Sequence, residues 1–217
     1  MNQRRRALQL LPPDALLKTG EVDHADWNFR PLLGSISRAR YRLAVSLLSG
    51  QHFGRLLEVG YGSGVFMPEL ARFCDELYGI DVHHMQQAVA DQLARFSVNA
   101  RLSSGSVTQM PFDAHFFNCI VAISALEFVA DLDAACEEIK RVLKPDGLFI
   151  VLTPGHSPIV DFGLRVLTGK SAKEDFSDRR QSLIPTLQRH FVIQQQLKSP
   201  TVGNSLIHLY TALKLGL

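Results

Sequence analysis

The stretch Leu56-Leu57-Glu58-Val59-Gly60-Tyr61-Gly62-Ser63-Gly64 decides the fold of this chain. Its apolar start is typical of a short buried strand, predicted over residues 55–59, and three glycines follow at alternate positions. Glycine lets the backbone turn sharply and lets a ligand approach it closely. We therefore predict a strand that ends in a ligand-binding turn. A helix over residues 63–73 is expected next, with its N-terminal N–H groups available to the ligand.

Strand-like and helix-like patterns alternate along the rest of the chain. A helix over 35–50 precedes the glycine turn, and Asp131 is expected to cap a later helix. The region 155–185 is mixed and partly helical. Further predicted elements are strands over 77–81, 100–102, 117–123 and 148–152, a helix over 84–96, a turn at 144–147, and strands over 191–197 and 206–213 joined by a 199–204 loop. This order predicts an α/β fold, a seven-stranded and mostly parallel sheet with helices on both faces and a C-terminal antiparallel strand pair.

Asp81 stands at the end of the second predicted strand, about 20 residues past the first glycine. A carboxylate at this position can accept hydrogen bonds from both hydroxyls of a ribose. A glycine turn with such an acid is also the fingerprint Gly-x-Gly-x-x-Gly of dinucleotide-binding proteins. Here Val65 occupies the third glycine position of that fingerprint, and Gly64 comes one residue early. A nicotinamide-dependent oxidoreductase is therefore the less favoured alternative.

Together these features resemble the class I S-adenosylmethionine (SAM)-dependent methyltransferases, of the small-molecule type similar to the methyltransferase-11 domain family. The resemblance covers residues 50–213 and rests on the glycine turn, on Asp81, on Gly105-Ser106-Val107 ahead of Met110-Pro111-Phe112, and on the run from Arg141 through Lys144-Pro145-Asp146-Gly147 to Leu148. It implies a Rossmann-like fold, SAM as the cofactor, and methyl transfer to an acceptor by direct displacement.

The resemblance also implies which residues bind the cofactor. The glycine loop would hold the methionine moiety, with Glu58 bracing the loop; Asp81 would bind the ribose and Val82 would lie against the adenine. The family often has Gly-Asp-Ala where this chain has Gly105-Ser106-Val107, so Ser106 replaces an acid and the backbone of Val107 is left to contact the adenine. The full predicted set is Glu58, Gly60, Tyr61, Gly62, Gly64, Asp81, Val82, Ser106, Val107 and Ser124.

Two residues are candidates for a catalytic base. Displacement at an activated sulfonium mainly requires alignment and a dry cavity, and it needs a base only for a weakly acidic hydroxyl or a protonated amine. His156 follows the fifth predicted strand and Glu127 follows the fourth. His156 would otherwise be a solvated loop residue, and Glu127 could cap a helix. The residues expected around the cofactor or over the pocket are His83, His84, His24, Trp27 and Tyr41.

Composition and motifs limit the partners. The net charge of +2 is too small for a concentrated basic face, which argues against nucleic acid. Arg4-Arg5-Arg6 is expected to be a solvated tail, with weak peripheral contact to anionic lipid as the alternative. The three widely spaced cysteines predict neither a zinc site nor a disulfide framework, and no stretch is apolar enough to span a membrane. A cytoplasmic monomer or homodimer without a metal is therefore expected.

A small-molecule acceptor is the expected substrate. The fourth strand is not followed by an Asn/Asp-Pro-Pro-aromatic motif, and no Pro-Cys pair is present. We expect residues 1–50 to form a covering segment and helix, residues 51–217 the SAM-binding domain, and residues 155–185 a lid insertion. Apolar residues of that lid, such as Phe162, favour a lipophilic or aromatic acceptor, although they would equally pack on the sheet. Because fold alone does not determine function, a SAM-binding protein without catalytic activity, or an assembly protein, remains an alternative.

Overall fold

A seven-stranded sheet forms the centre of the molecule. The computed structural model describes residues 7–20, 23–31, 33–154, 177–202 and 207–217. The strands are β1 (Phe53–Val59), β2 (Cys74–Asp81), β3 (Ala100–Ser104), β4 (Phe117–Ile123), β5 (Leu143–Pro154), β6 (Val192–Val202) and β7 (Ile207–Gly216). Their order is β3-β2-β1-β4-β5-β7-β6, with β1 to β5 parallel and β7 antiparallel to both of its neighbours. The predicted fold class is confirmed.

Helices cover both faces of this sheet. They are α1 (Leu33–Leu48), α2 (Met67–Leu70), α3 (Gln86–Arg95), α4 (Leu132–Val142) and α5 (Ser177–His190). Buried side chains of α1, α2 and α3 pack against one face, and those of α4 and α5 pack against the other. Among the described residues, no helix is both long and apolar enough to cross a membrane.

Strand β5 shows why the sheet is buried on both sides. Ile150 and Leu152 belong to the core on the α1 face, whereas Phe149 and Val151 belong to the core on the α4 face. Successive side chains of a strand point to opposite faces, so a continuous apolar run requires a cover on each side. Burying one such side chain contributes about 1.5–3 kcal/mol. The apolar run therefore places β5 in the interior of the sheet.

Local signals set one helix start correctly. Helix α4 begins after Asp131, whose Oδ1 accepts a hydrogen bond from the Ala134 N–H at 2.9 Å. This is the N-cap arrangement that the sequence predicts. Apolar residues at helical spacing, among them Ala135 and Ile139, then turn one side of α4 onto the sheet.

The helix predicted over 63–73 is wrong in its length. Gly64 has a positive φ of 73°, and α2 begins only at Met67, with Pro68 in its first turn. A 3-10 turn over Ala71–Phe73 follows α2 directly. The left-handed backbone at Gly64 cannot continue a right-handed helix, so the glycine turn extends further than its sequence pattern suggests.

Two other predicted boundaries are also wrong. The predicted turn at 144–147 lies inside β5, where the pairing shifts from Phe117–Leu143 to Cys119–Leu148, so these residues form an irregular bulge. The predicted loop at 199–204 is in part strand, because β6 continues to Val202. Most of the predicted lid, residues 155–176, lies outside the described residues.

Candidate active site

The predicted cofactor residues lie at one edge of the sheet. Because β1, β2, β3 and β4 are parallel, their carboxyl ends meet at the same edge. Ligands of open α/β sheets bind outside this edge. Glu58 is the next-to-last residue of β1, Asp81 ends β2, and Ser124 follows β4. Val107 is buried in the loop after β3, whereas Ser106 is exposed and Val82 is 73% exposed.

The glycine loop adopts the left-handed backbone that its composition predicts. The φ angles of Gly60, Gly62 and Gly64 are 76°, 51° and 73°. At Gly60 the loop also passes close to the end of β4, since a Cβ added there would lie 2.5 Å from the Cβ of Ala125. The backbone at this point is therefore accessible to a ligand and closed to a side chain.

Two side chains at the end of β2 and just after it hold the glycine loop. The Asp81 Oδ2 accepts a hydrogen bond from the Gly62 N–H at 2.9 Å, and the His83 Nε2 lies 3.0 Å from the Gly62 carbonyl oxygen. The Met85 N–H donates to the His83 Nδ1 at 3.1 Å. Since Nδ1 is an acceptor, Nε2 must carry the proton and donate to Gly62. The N–H and the carbonyl oxygen of Gly62 are thus both bonded to side chains at the end of β2 or just after it.

Replacing His83 by alanine is expected to lower the free energy of unfolding by about 1–2 kcal/mol, because the Gly62 carbonyl and the Met85 N–H lose their partner. Urea unfolding measures this change. His84→Ala is the matched control, since the adjacent ring is exposed and, among the described residues, bonds only to Ser104. Equal effects of the two replacements would show that His83 does not hold the loop.

Several buried polar atoms around this edge have no hydrogen-bond partner among the residues that the structure describes. They are the Arg40 Nε, the Glu58 Oε2, the Tyr61 hydroxyl, the Ser63 Oγ and the Ser124 Oγ. Buried polar groups in folded proteins are almost always hydrogen-bonded. A cluster of exceptions beside the glycine loop marks a place where a polar ligand can supply the missing partners.

Glu58 is a buried carboxylate directly before the glycine loop, with 4% of its surface exposed. Burial raises its pKa well above the ordinary 4.5, the charge of Asp81 raises the pKa further, and Arg40 opposes the rise. The native carboxyl group therefore keeps its proton at pH values where the unfolded chain has lost it. Glu58 can thus donate one hydrogen bond as well as accept others.

Glu58→Gln is expected to change the pH dependence of stability. Above about pH 4.5 the native protein binds more protons at Glu58 than the unfolded chain does, so stability falls as pH rises, by up to about 1.4 kcal/mol per pH unit. The uncharged glutamine removes this decline and makes the variant the more stable protein above that pH. Urea unfolding between pH 4 and 8 tests the prediction; parallel curves for the two proteins would contradict it.

Ser124 has a strained backbone. Its φ is 52°, and its N–H donates to the Leu152 carbonyl at 2.8 Å, which ties the end of β4 to β5. A serine in the left-handed region is uncommon, and such strain often occurs at functional sites. The strained turn places the unpartnered Ser124 Oγ close to the glycine loop, since the next residue, Ala125, contacts Gly60.

Comparison with known proteins assigns a family to this region. A family model described as a methyltransferase domain matches residues 57–151, which run from the end of β1 through β2, β3 and β4 to most of β5. Residues 57–151 are thus similar to a methyltransferase domain. The sequence resemblance is thereby confirmed.

Relatives and solved structures agree with this domain. Sterol 4-C-methyltransferase strm-1 of Caenorhabditis elegans is 32% identical over 98 residues, 44% of this chain and 29% of that protein. The ubiquinone/menaquinone biosynthesis C-methyltransferase UbiE of Vibrio cholerae is 28% identical over 125 residues, 55% of this chain and 48% of that protein. The chain thus spans less than half the length of these relatives. N-methyltransferase NodS of Bradyrhizobium japonicum, in complex with S-adenosyl-L-homocysteine (SAH), shares the fold, with a TM-score of 0.63, 19% identity, and coverage of 91% of this chain and 94% of that one.

The segment before α1 lies against the glycine loop of the methyltransferase domain. The Leu11 N–H donates to the Val65 carbonyl at 3.0 Å, and the Gln9 N–H donates to the Glu69 carboxylate at 2.7 Å. A Cβ added at Gly62 would lie 3.8 Å from the Asp23 carboxylate. His24 and Trp27 stack on each other within this segment, with ring centroids 4.4 Å apart.

Helix α4 holds the predicted adenine loop in place. Arg141 donates to the carbonyls of Met110 and Phe112 at 3.1 and 2.8 Å and to the Glu138 carboxylate at 2.7 Å. Glu138 accepts in turn from the Met110 N–H at 2.6 Å. The sequence predicts only a helix stop and a turn for the run that begins at Arg141. In the structure, Arg141 also fixes the loop that carries Val107.

Of the two candidate bases, the structure describes Glu127 and does not describe His156. Glu127 lies in a 3-10 turn after β4 (Leu126–Phe128), and 2% of its surface is exposed. His156 lies outside the described residues, so its role stays a prediction. No cluster of three metal-binding side chains occurs within the part of the chain that the structure describes.

Sequence reasoning missed Arg40 as a residue of the site. Its guanidinium is close enough to Glu58 to oppose the rise in the pKa of that carboxyl group. One signal was present in the sequence: Arg40 falls at an apolar position of the α1 repeat, between Ile36 and Leu43. A charge on the covered side of a helix needs a partner, and this requirement points to a site.

Proposed function

We propose that the chain is a SAM-dependent methyltransferase that acts on a small-molecule acceptor. The observation that carries this proposal is the group of unpartnered buried polar atoms around the glycine loop at the carboxyl edge of β1 and β4. The chemistry of SAM suits these atoms, since its amino-acid and ribose groups both accept and donate hydrogen bonds. When bound, SAM supplies an activated methyl group on a sulfonium. The matched family model supports the same assignment.

We assign a contact with the cofactor to each of the following residues at the carboxyl edge of the sheet. Asp81 accepts from the ribose hydroxyls, while its hydrogen bond to Gly62 keeps the loop in position. The protonated Glu58 and the Ser124 hydroxyl supply polar contacts beside the loop. Val82, which is largely exposed, covers one side of the adenine, and the backbone of Val107 contacts its edge.

We propose that Glu127 contacts the methyl acceptor. It follows β4 and is buried beside Leu126, so a bound acceptor would meet its carboxylate away from bulk water. A buried carboxylate can orient an acceptor or take a proton from it. His156 is the second proposed base.

The proposed acceptor is lipophilic or aromatic. The apolar side chains predicted for the lid favour this class. The matched relatives in Caenorhabditis elegans and Vibrio cholerae are named for sterol methylation and for ubiquinone and menaquinone biosynthesis. The predicted lid over residues 155–185 and the covering segment before α1 would enclose such an acceptor.

Calorimetric titration of the protein with SAH, and separately with NADH, tests the proposed function. We expect SAH to bind with micromolar affinity and NADH to show no heat of binding. SAH is the natural probe because it contains every recognition group of the cofactor and cannot react. Binding of NADH without binding of SAH would overturn the proposal in favour of an oxidoreductase.

A further inference from the structure

Arg40 is a half-buried arginine whose charge has no ion-pair partner among the residues that the structure describes. Its Nη2 donates to the Tyr41 hydroxyl at 3.1 Å, and its guanidinium lies 4.8 Å from the centre of the Tyr41 ring. Its Nε is buried and makes no hydrogen bond. Removing a guanidinium from water is costly unless a counter-charge or a full set of acceptors replaces the water. Burial lowers the pKa of Arg40, whereas Tyr41, Tyr210 and Glu127 raise it, yet no described carboxylate lies within ion-pair distance of the guanidinium. Arg40 can therefore take an anionic partner.

The contacts of Arg40 place it on the side of the glycine loop. The Tyr41 ring, which Arg40 contacts, stacks on Phe66 with centroids 4.4 Å apart and an interplanar angle of 13°. Phe66 comes two residues after Gly64. Arg40 also lowers the pKa of Glu58, which opposes the effect of burial on that group. The unbonded Nε of Arg40 thus lies on the side of the glycine loop, where the methionine moiety is expected.

The glycine turn has fewer free donors than the sequence predicts. The Gly62 N–H is bonded to Asp81, the Gly64 N–H to the Tyr61 carbonyl, and the Met67 N–H to the Gly64 carbonyl. Helix α2 has only four residues, so the row of free N–H groups expected from a helix over 63–73 is not formed. A carboxylate in this part of the site therefore meets fewer backbone donors than a full helix start would offer, and a charged donor from another element would add to them.

We propose that Arg40 binds the carboxylate of the methionine moiety of the cofactor through its Nε–H. This inference rests on the proposed function. A guanidinium suits the task because its planar array of donors matches the two oxygens of a carboxylate. Its charge also balances the carboxylate that the cofactor brings into a site that already holds the charge of Asp81. Helix α1, which lies outside the matched family region, thereby becomes part of the cofactor site.

The test compares two ligands that differ by the carboxylate. SAH contains the amino-acid group, and 5′-methylthioadenosine contains the same adenosine and sulfur without it. For Arg40→Gln we expect calorimetry to show SAH affinity reduced by about 10- to 100-fold, because a hydrogen bond to a charged group contributes roughly 1.5–3 kcal/mol. The affinity for 5′-methylthioadenosine should stay within about twofold of the wild-type value, since no contact to it is lost.

Two further variants make the outcome decisive. Arg40→Lys keeps the charge without the planar donors, so its SAH affinity should fall between those of the wild type and Arg40→Gln. Arg42→Gln, on the exposed side of the same helix, should bind both ligands as the wild type does. Unchanged SAH affinity in Arg40→Gln, or an equal loss for both ligands, would overturn the proposal. If the wild-type protein bound neither ligand, the proposed function itself would fail.

Discussion

Asp81→Ala is expected to weaken SAH binding by on the order of 100-fold. The carboxylate accepts a hydrogen bond from the Gly62 N–H at 2.9 Å and, in the proposed site, accepts two more from the ribose. Each hydrogen bond to a charged group contributes about 1.5–3 kcal/mol, so losing two of them gives an effect of this size. The Gly62 N–H also loses its partner, which loosens the glycine loop. Calorimetric titration of the variant with SAH measures the change.

Asp75→Ala is the matched control for this variant. Asp75 lies near the opposite end of the same strand, where its exposed carboxylate pairs with His52. Its removal should leave SAH affinity within about twofold of the wild-type value, because an exposed pair contributes little. Asp81→Asn should be intermediate, since the amide keeps one acceptor and loses the charge. Equal SAH affinities for Asp81→Ala and the wild type would refute the ribose assignment.

Gly60→Ala should give the largest loss of stability among single-methyl additions in the glycine loop, about 2–5 kcal/mol in the free energy of unfolding. One part is conformational, because the φ of 76° costs a non-glycine residue about 1–2 kcal/mol. The other part is steric. The new methyl group would lie 2.5 Å from the Cβ of Ala125, and forcing such an overlap costs about 1–3 kcal/mol. Urea unfolding of both proteins measures the sum.

Gly50→Ala separates the two parts. Gly50 has a similar φ of 80°, but no atom lies within 4 Å of an added Cβ. This variant should therefore lose only about 1–2 kcal/mol. The difference between the two variants is the contribution of the close approach between the glycine loop and the end of β4. If both variants lost the same stability, the loop would be able to move away from Ala125 at no cost.

Most of the fold could be predicted because its signals are local. A continuous apolar run such as 117–123 needs cover on both faces, and it became β4 with the predicted bounds. Asp131 capped α4 as expected, because its hydrogen bond reaches only three residues along the chain. The boundaries that failed depend on long-range pairing. The bulge at 144–147 exists because β4 pairs with both Leu143 and Leu148.

Part of the candidate site could also be predicted. Gly60, Gly62 and Asp81 come together because parallel strands end at one edge, and the order of elements already implies this. The predicted start of α2, next to the site, was wrong because Gly64 has a positive φ, and a side chain there would press against Val89 and Leu93 of α3. The roles of these residues toward the cofactor stay predictions, and so does the role of His156.

The amino-acid sequence alone specifies the alternation of strands and helices, the glycine turn and the acid at the end of β2. Each of these is encoded in a short run of residues with a periodicity or a backbone preference of its own. The hydrogen-bond partners of three polar side chains depend instead on tertiary packing. Arg40 bonds to Tyr41, His83 bonds to Gly62, and Arg141 bonds to the loop after β3. These contacts join residues that lie on different elements or loops, or that depend on how a helix is turned toward the sheet. Burial then decides their effect, because a polar group removed from water must find its partner inside the protein or in a ligand.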